Sequence, residues 1–182
     1  MKTRHRSDNA SRPNHPSIFC WNTGNEMIER KKLEVVTTAK RTTKHVRELD
    51  SSRPVTSALT TWNKDWEIFD PLAAVYDIAG YNHQLHHAES DHGRVPSRII
   101  MQTESYLRNA FRNWDLANKQ PYIIGYFIWT ALDCLGESSI GRAYYKGQGK
   151  DGFHTEQLYP WHGAYCGDID LTGLQKKHIP LS

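Results

Sequence analysis

The sequence predicts an α/β fold in which parallel strands alternate with crossover helices. Three observations carry this expectation. Short runs rich in β-branched and aromatic residues (VTSALT, RIIMQT, YIIGYFIW) recur along the chain at intervals of about 25 to 45 residues. The stretches between them place apolar residues at near-helical spacing with charges between. Clusters such as Asp50-Ser51-Ser52-Arg53-Pro54 break the pattern where one element should give way to the next.

The elements follow in order. Residues 1–16 are polar, basic and punctuated by proline, so they read as an irregular arm, and order is expected from Pro16. Ser17 to Trp21 has the character of a buried strand. Leu33 to Leu49 is a helix, with Leu33, Val36, Ala39, Lys40, Val46 and Leu49 at near-helical spacing and charges between. After the break at Asp50–Pro54, Val55 to Thr60 is a strand. Ile68 to Val75 is a short helical stretch, Tyr76 to Tyr81 a strand, His86 to Asp91 a short helix and Arg98 to Thr103 another buried strand. Leu107 to Leu116 forms an amphipathic helix that stops before Pro121, and Tyr122 to Trp129 is the most apolar strand of all. A glycine-dotted loop at 138–158 follows, without periodicity of its own, and a loop of that length usually lines a site. The expected organisation is the arm at 1–16 and one globular segment at 17–182.

Composition narrows the functional classes. The 182 residues are 38% hydrophobic and 11% aromatic, as in a globular segment. A net charge of only +3, from 23 Lys and Arg against 20 Asp and Glu, argues against nucleic acid as a partner. Lys31, Lys32, Lys40, Arg41, Lys44 and Arg47, interspersed with Glu34 and Glu48, read as the solvated face of a helix. Cys20, Cys134 and Cys166 make no CxxC pair and read as free thiols. No window approaches the roughly 18 apolar residues of a membrane span, so a soluble chain without a membrane partner is expected, with its compartment left open.

The strand ends carry the chemistry. Asn25 and Glu26 stand after the first strand, Thr61 and Trp62 after the second, Tyr81 and Asn82 after the third, Glu104 after the fourth and Trp129 at the fifth. In a barrel of parallel strands these positions converge on one face. Sugars offer apolar ring faces to indoles and hydroxyls to amides, and two opposed carboxyl groups are the minimum machinery for cleaving a glycosidic bond.

Three segments, NHPSIFCWNTGNE at 14–26, QTESY at 102–106 and GYFIW at 125–129, resemble in order and spacing the catalytic domain of glycoside hydrolase family 2, and SSRPVTSAL and WHGAYCGDIDLTG resemble its β-galactosidases. The resemblance implies a partial (β/α)8 TIM barrel, about strands 4 to 8 with their helices. It implies that Glu26 is the general acid/base, Glu104 the nucleophile, Asn25 the amide on the sugar 2-hydroxyl, Tyr81 the donor to the nucleophile and Trp129 the sugar platform. Trp62 is a further candidate for the substrate. The implied activity is a retaining glycoside hydrolase acting on β-galactosides in carbohydrate metabolism, without an organic cofactor.

A whole barrel takes about 250 residues. The chain is therefore expected to be a piece of a longer hydrolase, with impaired activity alone and with the first barrel strands and β-sandwich domains as partners in the parent. A carbohydrate-binding remnant or a non-functional truncation product is the alternative. His83, His86, His87 and His92 invite a zinc reading, but a histidine-rich surface is the expectation, with no protein-held metal.

Overall fold

The computed structural model describes residues 15–27, 32–61, 66–135, 142–144, 152–154, 163–164 and 167–176. Trp62 and most of the expected arm and of the 138–158 loop lie outside the described residues. Five strands form one sheet in chain order: β1 (Trp21–Asn25), β2 (Val55–Leu59), β3 (Ile78–Asn82), β4 (Ile100–Ser105) and β5 (Ile123–Ile128). β1 to β4 pair in parallel. Helices connect them: α1 (Leu33–Leu49), α2 (Asp70–Ala73), α3 (Ala88–Arg94) and α4 (Ala110–Lys119), the last three each preceded by a short 3-10 turn. This is the alternating architecture expected of part of a TIM barrel.

α1 shows how the elements are fixed. It buries Ala39, Thr43 and Val46, one per turn, and leaves Lys40, Arg41, Lys44 and Arg47 exposed. The helix stops at Asp50, whose N–H closes the last turn on Val46 O at 2.8 Å. The Asp50 carboxylate then accepts from the Ser52 hydroxyl at 2.5 Å, from Trp21 Nε1 at 2.9 Å and from Arg53 Nη1 at 2.7 Å. These donors, Ser52 foremost, hold its pKa far below the usual carboxylate range.

β2 and β3 are buried along their whole length, as central strands covered on both faces should be. The outer strands differ from the sequence expectation. β1 begins at Trp21 rather than Ser17, because its first rung is the Trp21 N–H on Pro54 O, at 2.9 Å. It is half-buried rather than wholly buried, as an edge strand with one neighbour. β5, the most apolar strand by sequence, exposes Ile124 and Phe127. Phe127 stacks on Phe19, with ring centroids 6.3 Å apart. The apolar core, with Val46, Phe69, Leu72 and Tyr81 among its members, fills the layer between sheet and helices.

Gly80 in β3 sits where a side chain has no room: a Cβ there would lie 2.6 Å from Ser57 O and 2.9 Å from Thr103 Cγ2. Its smallness lets β2, β3 and β4 draw together beneath their C-terminal ends.

The chain divides into two compact units. One holds the sheet and helices, as far as Glu104 and again over Arg112–Phe127; the other holds Ser105–Phe111 and the residues from Ile128 on. In the second unit β6 (Cys134–Leu135) pairs antiparallel with β9 (Gly163–Ala164), and β7 (Arg142–Tyr144) with β8 (Gly152–His154). The stretch expected as a plain loop at 138–158 therefore contains a two-stranded ribbon. No helix among the described residues is long and apolar enough to cross a membrane.

Candidate active site

Two irregularities of register prepare the site. Asn22 pairs with Thr56 and Asn25 with Ala58, so β1 spends three steps where β2 spends two. Tyr81 pairs with Gln102 and Asn82 with Glu104, so β4 spends two steps where β3 spends one. Each extra residue lies just ahead of a glutamate, and such bulges bend a strand and re-aim the side chains beyond them. Past the strand ends, Glu26 and His83 take left-handed backbone angles, with φ of 45° and 61°. Non-glycine residues adopt these angles uncommonly, and where they do the surroundings hold them in place. Here the Glu26 N–H is bonded to Ala58 O at 3.0 Å and the His83 N–H to Glu104 O at 2.8 Å.

The side chains at these positions meet. Asn82, fully buried, donates through Nδ2 to Glu26 Oε1 and to Asn25 Oδ1, both at 3.0 Å. Its own Oδ1 accepts from the Thr103 hydroxyl at 2.5 Å, which fixes the orientation of the amide. His83 Nε2 lies 3.6 Å from Glu104 Oε2, and Gln102 Nε2 donates to the Glu104 carbonyl at 2.9 Å. One carboxylate oxygen of Glu26, one of Glu104 and a ring nitrogen of His83 all lie within 4.8 Å of one another, each residue partly buried. Two carboxyl groups this close, open to solvent on one side, can address opposite ends of one small reacting group.

The expected site residues divide. Asn25, Glu26 and Glu104 come together at the strand ends. Tyr81 does not join them, and its expected bond to Glu104 is corrected: the side chain is completely buried on the opposite side of β3, where its hydroxyl donates to Asp91 Oδ2 at 2.5 Å and its ring meets Trp66 edge-on at 4.8 Å. Burial first, and then the Asp91 carboxylate, push the Tyr81 hydroxyl well above the usual tyrosine range, so it remains a donor. The cause of the correction is the two-residue period of a strand. Asn82 faces Glu26, so Tyr81, one residue earlier, faces the helices. Trp129, half-buried, belongs to the second unit, where its N–H bonds Ser105 O at 2.9 Å; its peptide bond to Thr130 is cis.

Asn82 and His83 are the residues that sequence reasoning assigned no role. Asn82 is named at the end of the third strand without a task of its own, and the alternation that turns Tyr81 toward the helices turns Asn82 toward Glu26. His83 leaves no such trace, because its position depends on a left-handed turn. The expected cluster of four histidines also separates: His86 and His87 contact each other, His87 stacks on Trp66, and His92 stacks on Tyr122.

Comparison with known proteins agrees with this architecture. The family model for the TIM barrel domain of glycosyl hydrolases family 2 matches residues 3–148. The chain belongs to glycoside hydrolase family 2. A family 2 member from Bacteroides cellulosilyticus superimposes with a TM-score of 0.79 at 36% identity, over 96% of this chain and 21% of that one. The β-galactosidase BoGH2A of Bacteroides ovatus is 21% identical across 90% of this chain and 26% of its own length. A β-glucuronidase of Bacteroides uniformis shares the fold, with a TM-score of 0.64 at 16% identity, over 96% of this chain and 24% of that one. The family 2 chain described here thus spans about a quarter of the length of the relatives it matches.

Proposed function

We propose that this family 2 domain supplies both catalytic carboxyl groups of a retaining glycosidase acting on β-galactosides. The observation that carries the reading is the approach of Glu26 and Glu104 to within 4.8 Å, oxygen to oxygen, at the C-terminal ends of β1 and β4, the first and fourth strands of one sheet. Retention requires carboxyl groups about 5 to 5.5 Å apart, whereas inversion needs room for a water between them.

In the proposed double displacement Glu104 attacks the anomeric carbon while Glu26 protonates the departing oxygen. Glu26 then takes a proton from water as that water releases the sugar from Glu104. The two steps need no organic cofactor. Asn82, locked by Thr103, holds Glu26 by one oxygen and leaves the other for the proton transfer. Asn25, exposed beside it, is the amide assigned to the sugar 2-hydroxyl. The preference for galactose follows the galactosidase-like segments of the sequence, and the domain is proposed to act within a longer hydrolase and weakly alone.

The test uses a nitrophenyl β-galactoside, with the chain and with the full protein that carries it. Glu26→Gln should lower kcat by about 10²- to 10⁴-fold, and Glu104→Gln by at least as much. A glycosyl adduct on Glu104 should be detectable by mass spectrometry. Activity unchanged by either substitution rejects the assignment.

A further inference from the structure

The proposed mechanism uses two members of the triad at the strand ends and leaves the third, His83, without a chemical role. We propose that Glu26, His83 and Glu104 together form a three-ligand zinc site whose occupancy shuts out substrate. The inhibition rests on the hydrolase reading above; the binding does not.

Geometry and donor chemistry both point this way. Zinc holds carboxylate oxygen and imidazole nitrogen at about 2.0 to 2.2 Å, so two ligand atoms of a tetrahedral site stand about 3.3 to 3.5 Å apart. His83 Nε2 and Glu104 Oε2 already stand at 3.6 Å, and the Glu26 oxygen lies within 4.8 Å of both. Small side-chain rotations close the remaining gap. An imidazole with two carboxylates selects a borderline cation such as zinc, whereas magnesium prefers oxygen ligands and keeps its waters. Asn82 orients the Glu26 carboxylate from behind, as outer-sphere partners of metal ligands do. Three protein ligands leave a fourth position for water. A cation so held claims both carboxyl groups, and Glu26 could no longer carry the proton that the leaving oxygen needs.

The experiment titrates the metal-stripped full chain with zinc chloride, and separately with magnesium chloride, by isothermal calorimetry at pH 7.5. Zinc should bind with a stoichiometry near one and at least tenfold more tightly than magnesium. His83→Ala and Glu104→Gln, each checked for native circular dichroism, should weaken zinc binding at least tenfold. Replacing His86 and His87 together, away from the triad, should leave it intact. The site is overturned if His83→Ala and Glu104→Gln bind zinc like the parent chain, or if the His86/His87 variant loses it. In an active preparation zinc should raise KM for the nitrophenyl galactoside, reversibly with a chelator. Zinc binding in a protein that hydrolyses no glycoside would remove the hydrolase reading and keep the metal site. Hydrolysis untouched by saturating zinc would do the reverse.

Discussion

Two clusters of carboxylates flank β3, and they are built on opposite principles. On the helix side Asp91, 1% exposed, accepts hydrogen bonds from Trp66 Nε1 at 2.7 Å, the Tyr81 hydroxyl at 2.5 Å, Arg94 Nη2 at 2.5 Å and Arg98 Nη1 at 3.2 Å. Asp70 extends the network by accepting from Arg94 and Arg98. At the strand ends Glu26 draws on Asn82 and Glu104 faces His83, with solvent on the remaining side. A buried charge costs free energy unless its lone pairs are met, so the first cluster is saturated and serves the fold. A carboxyl group that gives and takes protons, the role proposed for Glu26, cannot be saturated, and among the described residues the second cluster is sparse. The contrast separates the structural acids from those proposed for chemistry by their supply of donors rather than by residue type.

Substitutions on the two sides should part stability from activity. The largest expected effect on stability is at Asp91: Asp91→Ala leaves Arg94 and Arg98 facing an emptied buried site and should cost about 3 to 5 kcal/mol in urea unfolding. Hydrolysis per folded molecule should stay close to the parent value, and a selective loss of turnover would break the comparison. Asn82→Ala should behave in the opposite way. It removes the donor on Glu26, so kcat should fall by roughly the tenfold to hundredfold that a charge-assisted hydrogen bond of about 1.5 to 3 kcal/mol represents.

Tyr81→Phe should cost about 0.5 to 1.5 kcal/mol of stability, because Asp91 keeps three other donors, and should leave kcat unchanged. That result would place the tyrosine with the fold and not with the nucleophile. The smallest effect is a pH dependence. Burial lowers the pKa of His86 and of His87 in the folded chain. The unfolded chain then binds more protons, so stability is fully present above the unfolded value of about 6.5 and declines as pH falls through the lower folded values. Replacing both histidines with glutamine should flatten that slope in unfolding curves measured between pH 5 and 7.5.

The helices were more legible in the sequence than the strand ends, for physical reasons. α1 runs over Leu33–Leu49 as its periodicity predicts, because the Asp50 cluster that stops it is local and polar. β3 was expected at Tyr76 to Tyr81 and lies at Ile78–Asn82, because Asp77 is spent on a tertiary contact: its carboxylate accepts from the Val55 N–H at 2.8 Å and from Arg47 at 2.7 Å. The expectation for Tyr81 came from the resemblance instead, and the two-residue period of β3 turns that side chain toward Asp91. The glutamates announce themselves by the segments around them, whereas Asn82 and His83 are positioned by register and by a backbone turn, neither of which composition records. The outer strands misled for another reason. Apolar content marks a strand, but burial depends on how many neighbours it has, and β1 and β5 close the order of the sheet.

The slipped pairing in β1 and β4 has a consequence for how this segment tolerates change in length. Each of these strands holds one residue that the ladder does not need, and removing Thr23 or Thr103 would restore an even pairing while turning the following glutamate toward the opposite face of the pleat. A shortened chain is expected to be the tidier sheet and to lose the pair of carboxyl groups proposed for catalysis. Among related sequences, a gap of one residue at either place should mark a lineage that has kept the scaffold and given up its chemistry.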